Sequence, residues 1–104
     1  MSPWVLVALA GIMETGWAIG LKYSDGFTRP LPSVLTVLGA LASFWMLSVA
    51  MKDLPVGTAY AVWVGIGAVG TAVAAVVLFG DPVNLMRVLG VVLILAGIAA
   101  LKLA

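Results

Sequence analysis

Four continuous apolar runs, at roughly residues 3–21, 31–51, 57–79 and 83–103, fill almost all of a 104-residue chain. Each is close to the ~20 residues that carry an α-helix across the hydrocarbon core of a bilayer. Transmembrane β-strands are excluded, because the runs are continuous and do not alternate. Of the residues, 64% are hydrophobic and 9% charged, whereas a soluble domain carries about 25% charged residues. A chain this apolar has no surface to offer water. The expected fold is therefore all-α: residues 1–104 form a single four-helix transmembrane domain in the lipid bilayer. The first run begins almost at Met1, without a basic leader, and reads as a retained first helix.

The links between runs are short. Lys22-Tyr23-Ser24-Asp25-Gly26-Phe27-Thr28-Arg29-Pro30 holds turn chemistry in Asp25-Gly26, and Pro30 and Pro32 stand where a helix can begin. The second link is Lys52-Asp53-Leu54-Pro55-Val56. In the third, Gly80-Asp81-Pro82, Gly80 is expected to end a helix. Asp81 is expected to cap the next one, with Pro82 in its first turn.

One charge falls in the middle of an apolar run, and it is Glu14; every other lies at or near the end of a run. A carboxylate at that depth costs ~3 kcal/mol or more, and an intramembrane acid is a functional-site candidate by default. The chain has no His and no Cys. Any proton chemistry near neutral pH then falls to a carboxyl group, and disulfides and thiolate metal sites are excluded. No metal-ligand cluster, phosphate loop or nucleophile–base pair is visible, so neither a cofactor nor an enzyme is expected. A net charge of +1 leaves no nucleic-acid footprint.

Helical spacing puts Ala10, Gly11, Trp17 and Ala18 on the face of Glu14. The small residues allow a helix or a ligand to approach, and Trp17 adds one N–H donor and a flat ring. Ser43 is the most central polar residue of the second run. In the third run, Tyr60, Trp63, Gly67 and Gly70 share a stripe that suits a lined cavity. Gly65-Ile66-Gly67 marks an expected bend. In the fourth run, Gly90 and Gly97 lie two turns apart with Ile94 between them, a small-residue stripe for helix association. Trp4 reads as an interfacial belt residue and Trp45 as lipid-facing or packing.

The cations divide almost evenly between the two ends. Lys52 and Lys102 fall on the side of the termini, and Lys22, Arg29 and Arg87 on the other. Orientation follows Lys and Arg bias in short loops, so two readings stay open: one weakly specified topology, or insertion both ways up. Two inverted copies would supply two acids and the in-plane two-fold symmetry that transporters usually obtain from inverted repeats.

The pattern Glu14-x-x-Trp17-Ala18-x-x-Leu21-Lys22-Tyr23-Ser24-x-Gly26-Phe27-Thr28, followed by Pro55-x-Gly57-Thr58-Ala59-Tyr60-Ala61-Val62-Trp63-x-Gly65-Ile66-Gly67, resembles the small multidrug resistance family over essentially the whole chain. The resemblance implies a proton-coupled antiporter of cations, working as an antiparallel, dual-topology homodimer in the bacterial inner membrane. It implies that proton and substrate compete for Glu14, within a site lined by Trp17, Ser43, Tyr60 and Trp63. Gly65 and Gly67 would let the third helix bend, and Gly90, Ile94 and Gly97 would supply the dimer contact. Trp17-Ala18 and Thr58 resemble the guanidinium-exporting branch, so small substituted guanidinium cations are the expected substrates.

Two positions depart from that branch. Val64 stands where a hydroxyl residue is usual, and Gly16 where an aliphatic one is common. Both would loosen the site. The alternative is a broader exporter of quaternary ammonium or lipophilic cations; a non-transporting membrane subunit is the reading from another class.

Overall fold

The computed structural model describes residues 2–104. In lipid, backbone N–H and C=O groups must be paired within the spanning segment, which leaves helices as the solution for an open chain. Four form: α1 (Pro3–Tyr23), α2 (Pro30–Ala50), α3 (Val56–Phe79) and α4 (Leu85–Leu103). Each is long and apolar enough to cross a membrane. Pro3 and Pro30 open the first two, where a missing N–H costs no intrahelical bond.

The α1–α2 turn is tighter than an Asp-Gly pair alone requires. Asp25, Gly26 and Phe27 all adopt positive φ, at 49°, 69° and 66°. The Ser24 hydroxyl donates to Leu21 O at 2.7 Å and accepts from the Phe27 N–H at 3.2 Å. At the other turn Gly80 ends α3 in the left-handed conformation, φ 66°, where a residue without Cβ fits best.

The start of α4 differs from the sequence expectation. Residues 81–84 stay non-helical, and the cap is Asn84, not Asp81. The Asn84 side-chain oxygen accepts from the Arg87 N–H at 2.9 Å. Capping requires an acceptor aimed at the third amide of the helix, and with residues 81–84 non-helical, Asp81 lies too far back in the chain to provide it. α4 therefore begins at Leu85, two residues later than the apolar run suggested.

α1 is the centre of the packing. It lies against both α2 and α3, and α4 packs mainly on α3. The result is a flat slab of 41 × 35 × 18 Å. Its core is Val7 and Ala10 of α1, Leu47 and Ala50 of α2, and Ala59, Val62 and Trp63 of α3. No residue of α4 is buried. At one end Lys22 Nζ stands 5.2 Å over the Phe79 ring, tying the end of α1 to the end of α3. At the other, Lys102 Nζ stands 5.0 Å over Trp4, tying the end of α4 to the start of α1. These pairs place Lys22 and Lys102 at opposite faces of the slab.

Capping makes a test. Asn84→Ala is expected to lower stability by ~1 kcal/mol, while Asp81→Ala, which removes no cap, stays within ~0.5 kcal/mol. Thermal unfolding in detergent measures both; equal losses would contradict the assignment.

Candidate functional site

The site grows from a polar relay between three helices. Trp63 of α3 is buried, and its indole Nε1–H donates to Ser43 Oγ of α2 at 2.9 Å. The fully buried Ser43 hydroxyl passes its own proton on to Ala10 O of α1 at 2.7 Å. In an α-helix the Ala10 carbonyl is also the partner of the Glu14 amide. One hydroxyl, placed at the only polar position central to α2, thus joins α3 to the turn of α1 that carries the acid. Both polar groups are satisfied, as burial demands.

Glu14 is held differently. Its side chain lies on the backbone of α3 at Gly67: a Cβ built on that glycine would stand 2.6 Å from Oε1 and 2.7 Å from Cγ. Any larger residue at position 67 would displace the carboxyl group. One turn along α1, Gly11 admits Ile66, whose Cβ would lie 2.7 Å from a Cβ at that glycine. Small residues thus draw α1 and α3 together on either side of the acid. Glu14 Oε2 is buried and has no hydrogen-bond partner among the described residues. Trp17 Nε1, one turn further along the same helix, is in the same condition. An orphaned acceptor and an orphaned donor on one helix face are unusual in a folded protein, where buried polar atoms are nearly always paired.

Aromatic rings border these groups. Phe44 bridges Trp17 and Trp63, with ring centroids 6.1 Å and 5.7 Å away and near-perpendicular contacts. Tyr60 joins through its ring, 5.7 Å from that of Trp63, and is 54% exposed. The structure therefore brings Glu14, Trp17, Ser43 and Trp63 together and leaves Tyr60 at the margin. Phe44 and the Ala10 carbonyl are members that the residue pattern did not single out. Phe44 neighbours Ser43 in a helix otherwise rich in apolar residues, where an aromatic carries no distinguishing signal.

The remaining candidates lie elsewhere. α3 runs without interruption through Gly65-Ile66-Gly67. Gly65 has a packing role there: a Cβ would lie 2.8 Å from Ile98 Cδ1 and 3.3 Å from Ile94 Cγ2. Ile94 thus faces its own α3, while Gly90 and Gly97 of α4 have open space where a Cβ would stand. Gly97 also lines a groove of about 520 Å³ between α3 and α4. Gly16 is exposed and, with Trp17, lines a second groove of about 510 Å³ between α1 and α2. No cluster of metal-ligating side chains occurs among the described residues.

A double-mutant cycle tests the relay. Ser43→Ala and Trp63→Phe are each expected to destabilise the protein, and the pair to show a coupling of ~0.5–1.5 kcal/mol. Zero coupling in reversible unfolding would contradict a direct bond.

Comparison with known proteins gives a consistent result. A family model described as Small Multidrug Resistance protein matches residues 2–94. The chain is 56% identical over 101 residues to a protein named Guanidinium exporter from Yersinia pseudotuberculosis, covering 97% of each. It is 52% identical over 101 residues to proteins of the same name from Proteus vulgaris and from Escherichia coli K12, covering 97% of this chain and 97% and 96% of those proteins.

Proposed function

The chain belongs to the small multidrug resistance family, and on that footing we propose that it is a secondary transporter that exports guanidinium and small substituted guanidinium cations in exchange for protons. The observation that carries this reading is the pair of unpartnered buried atoms, Glu14 Oε2 and Trp17 Nε1. A guanidinium ion is planar, permanently charged and composed entirely of N–H donors. A carboxylate receives it through a two-point fork, the strong form of charge-assisted hydrogen bond. Trp17 offers its ring face to such a cation and its N–H to a carboxylate. The names of the bacterial relatives support the substrate, and their source supports the bacterial inner membrane as the location.

One protomer presents a single acid. We read the working unit as an antiparallel homodimer in which two copies, inserted in opposite senses, bring two Glu14 side chains to one site. Two features support it. Cations are nearly balanced between the ends of the slab, so neither orientation is strongly favoured. α4 has no buried residue and presents Gly90 and Gly97 uncovered; small residues of this kind let membrane helices approach closely. Ile94 would then fill space in its own protomer and border the contact.

In the proposed cycle the carboxyl of Glu14 holds either a proton or the cation. Protonation removes the charge that holds guanidinium, so arrival of a proton from one side expels the cation to that side. Movement of α3 about Gly65 and Gly67 would expose the site alternately to the two faces, with residues 1–104 acting as one membrane domain. Trp17, Ser43, Tyr60 and Trp63 line the path, and the Trp63–Ser43–Ala10 relay keeps the lining in place.

Glu14→Gln retains the shape of the side chain and removes its charge. Purified into liposomes, the wild type should take up guanidinium in response to a pH gradient, and Glu14→Gln should show none. Retained pH-driven uptake would overturn the mechanism. A bulky residue at Gly97, as in Gly97→Leu, should reduce the dimer fraction in single-molecule photobleaching; an unchanged fraction would remove α4 from the contact.

A further inference from the structure

The residue after the acid is Thr15, and the cycle just described does not use it. Its Oγ1 stands between two helices, 3.4 Å from Gly67 O on α3 and 3.5 Å from Gly11 O on its own helix. A hydroxyl has one proton and donates it to one acceptor at a time. Neither distance is near the 2.7–2.8 Å at which such bonds are strongest, so the group is shared, not committed. Its side chain lies in a notch made by Gly70. A Cβ on that glycine would meet Thr15 Cβ and Cγ2 at 3.2 Å and would overlap Oγ1. Adjacent residues of α1, Glu14 and Thr15, therefore face successive glycines of α3, Gly67 and Gly70.

We propose that Thr15 is a positioning residue whose hydroxyl latches α3 against α1 beside Glu14 and falls back onto the Gly11 carbonyl when α3 withdraws. This rests on the transport reading above, in which α3 moves. Pairing of the hydroxyl is kept in both positions of α3. In a bilayer an unpaired hydroxyl proton is costly, because lipid offers no acceptor. Threonine in a helix bonds readily to the carbonyl four residues earlier, and for Thr15 that carbonyl is Gly11 O. The donor thus has a partner with α3 in place and with α3 away. The latch opens at little cost, yet while closed it sets how near Gly67 stands to the acid. Glu14 has no hydrogen bond of its own to set that distance, so its neighbour does so.

Two substitutions separate the hydroxyl from its bulk. Thr15→Val keeps the shape that fills the Gly70 notch and removes the donor; Thr15→Ser keeps the donor. Guanidinium-evoked currents on solid-supported membranes give maximal rate and KM for each. With the latch gone, Thr15→Val should raise the maximal rate about threefold, the weight of a typical interhelical hydrogen bond in a membrane, and leave KM unchanged. Thr15→Ser should match the wild type. Amide hydrogen exchange across residues 65–71 supplies a readout independent of substrate, and should quicken in Thr15→Val alone. A wild type without guanidinium currents would sink the transport reading and leave exchange to decide on the latch. Rates or exchange unchanged in Thr15→Val, a slower Thr15→Val, or Thr15→Ser behaving like Thr15→Val would each overturn the proposal.

Discussion

A carboxyl group buried among apolar helices, with no partner inside its own protomer, is the constraint on which the rest of this structure depends. The two other buried polar side chains beside it are settled by one hydroxyl: Ser43 accepts from Trp63 and donates to Ala10 O. Glu14 is not settled in this way, and neither is Trp17. An isolated charge or dipole in lipid is unfavourable by several kcal/mol, so these atoms invite a partner from outside the chain. A cation, a proton or a second copy of the chain each meets that requirement for Glu14. The competition among them is the proposed cycle.

Close packing serves the same end. α1 lies in the middle of the slab, and glycines bring its neighbours in: Gly67 under Glu14, Gly70 under Thr15, Gly11 against Ile66. In lipid there is no hydrophobic drive between helices, so close contact and hydrogen bonding must hold them together. Glycine in mid-helix lowers helix propensity, which in an apolar span is tolerable because the backbone has no water to pair with instead. Gly67, which admits the acid, is also one of the two glycines about which α3 is proposed to move. α4 lies outside this arrangement, joined to α3 by Ile94 and Ile98 packing on Gly65 and to α1 by Lys102 over Trp4.

Most of the architecture was legible in the residues. Helix number and rough extent follow from run length against bilayer thickness, and Glu14 stands out because it is the one charge in the middle of a run. Ser43 and Trp63 were nominated separately; that they bond to each other was not readable, because side chains twenty residues apart on different helices carry no common period. Phe44 and Thr15 gave no signal for a related reason. An aromatic or a threonine in an apolar helix is compatible with lipid, core or site. The start of α4 was misread from a favourable local motif. Asp81-Pro82 has the composition of a helix start, but residues 81–84 stay non-helical, and Asn84 is the residue that reaches an amide of the helix. Gly90 and Gly97 have open space where a Cβ would stand, and the period of the stripe marks a place for close packing without naming a partner.

The central claim is that one carboxyl group serves both proton and cation. Trp17 lies one turn from Glu14 on α1, and Trp63 lies one turn from Gly67, on which Glu14 packs, so intrinsic tryptophan fluorescence of the purified protein is a fitting readout of guanidinium binding. Titrations across a range of pH test the claim without transport. The guanidinium Kd is expected to rise steadily as pH falls, and Glu14→Gln to show no binding response at any pH. A Kd independent of pH, or binding retained in Glu14→Gln, would contradict it.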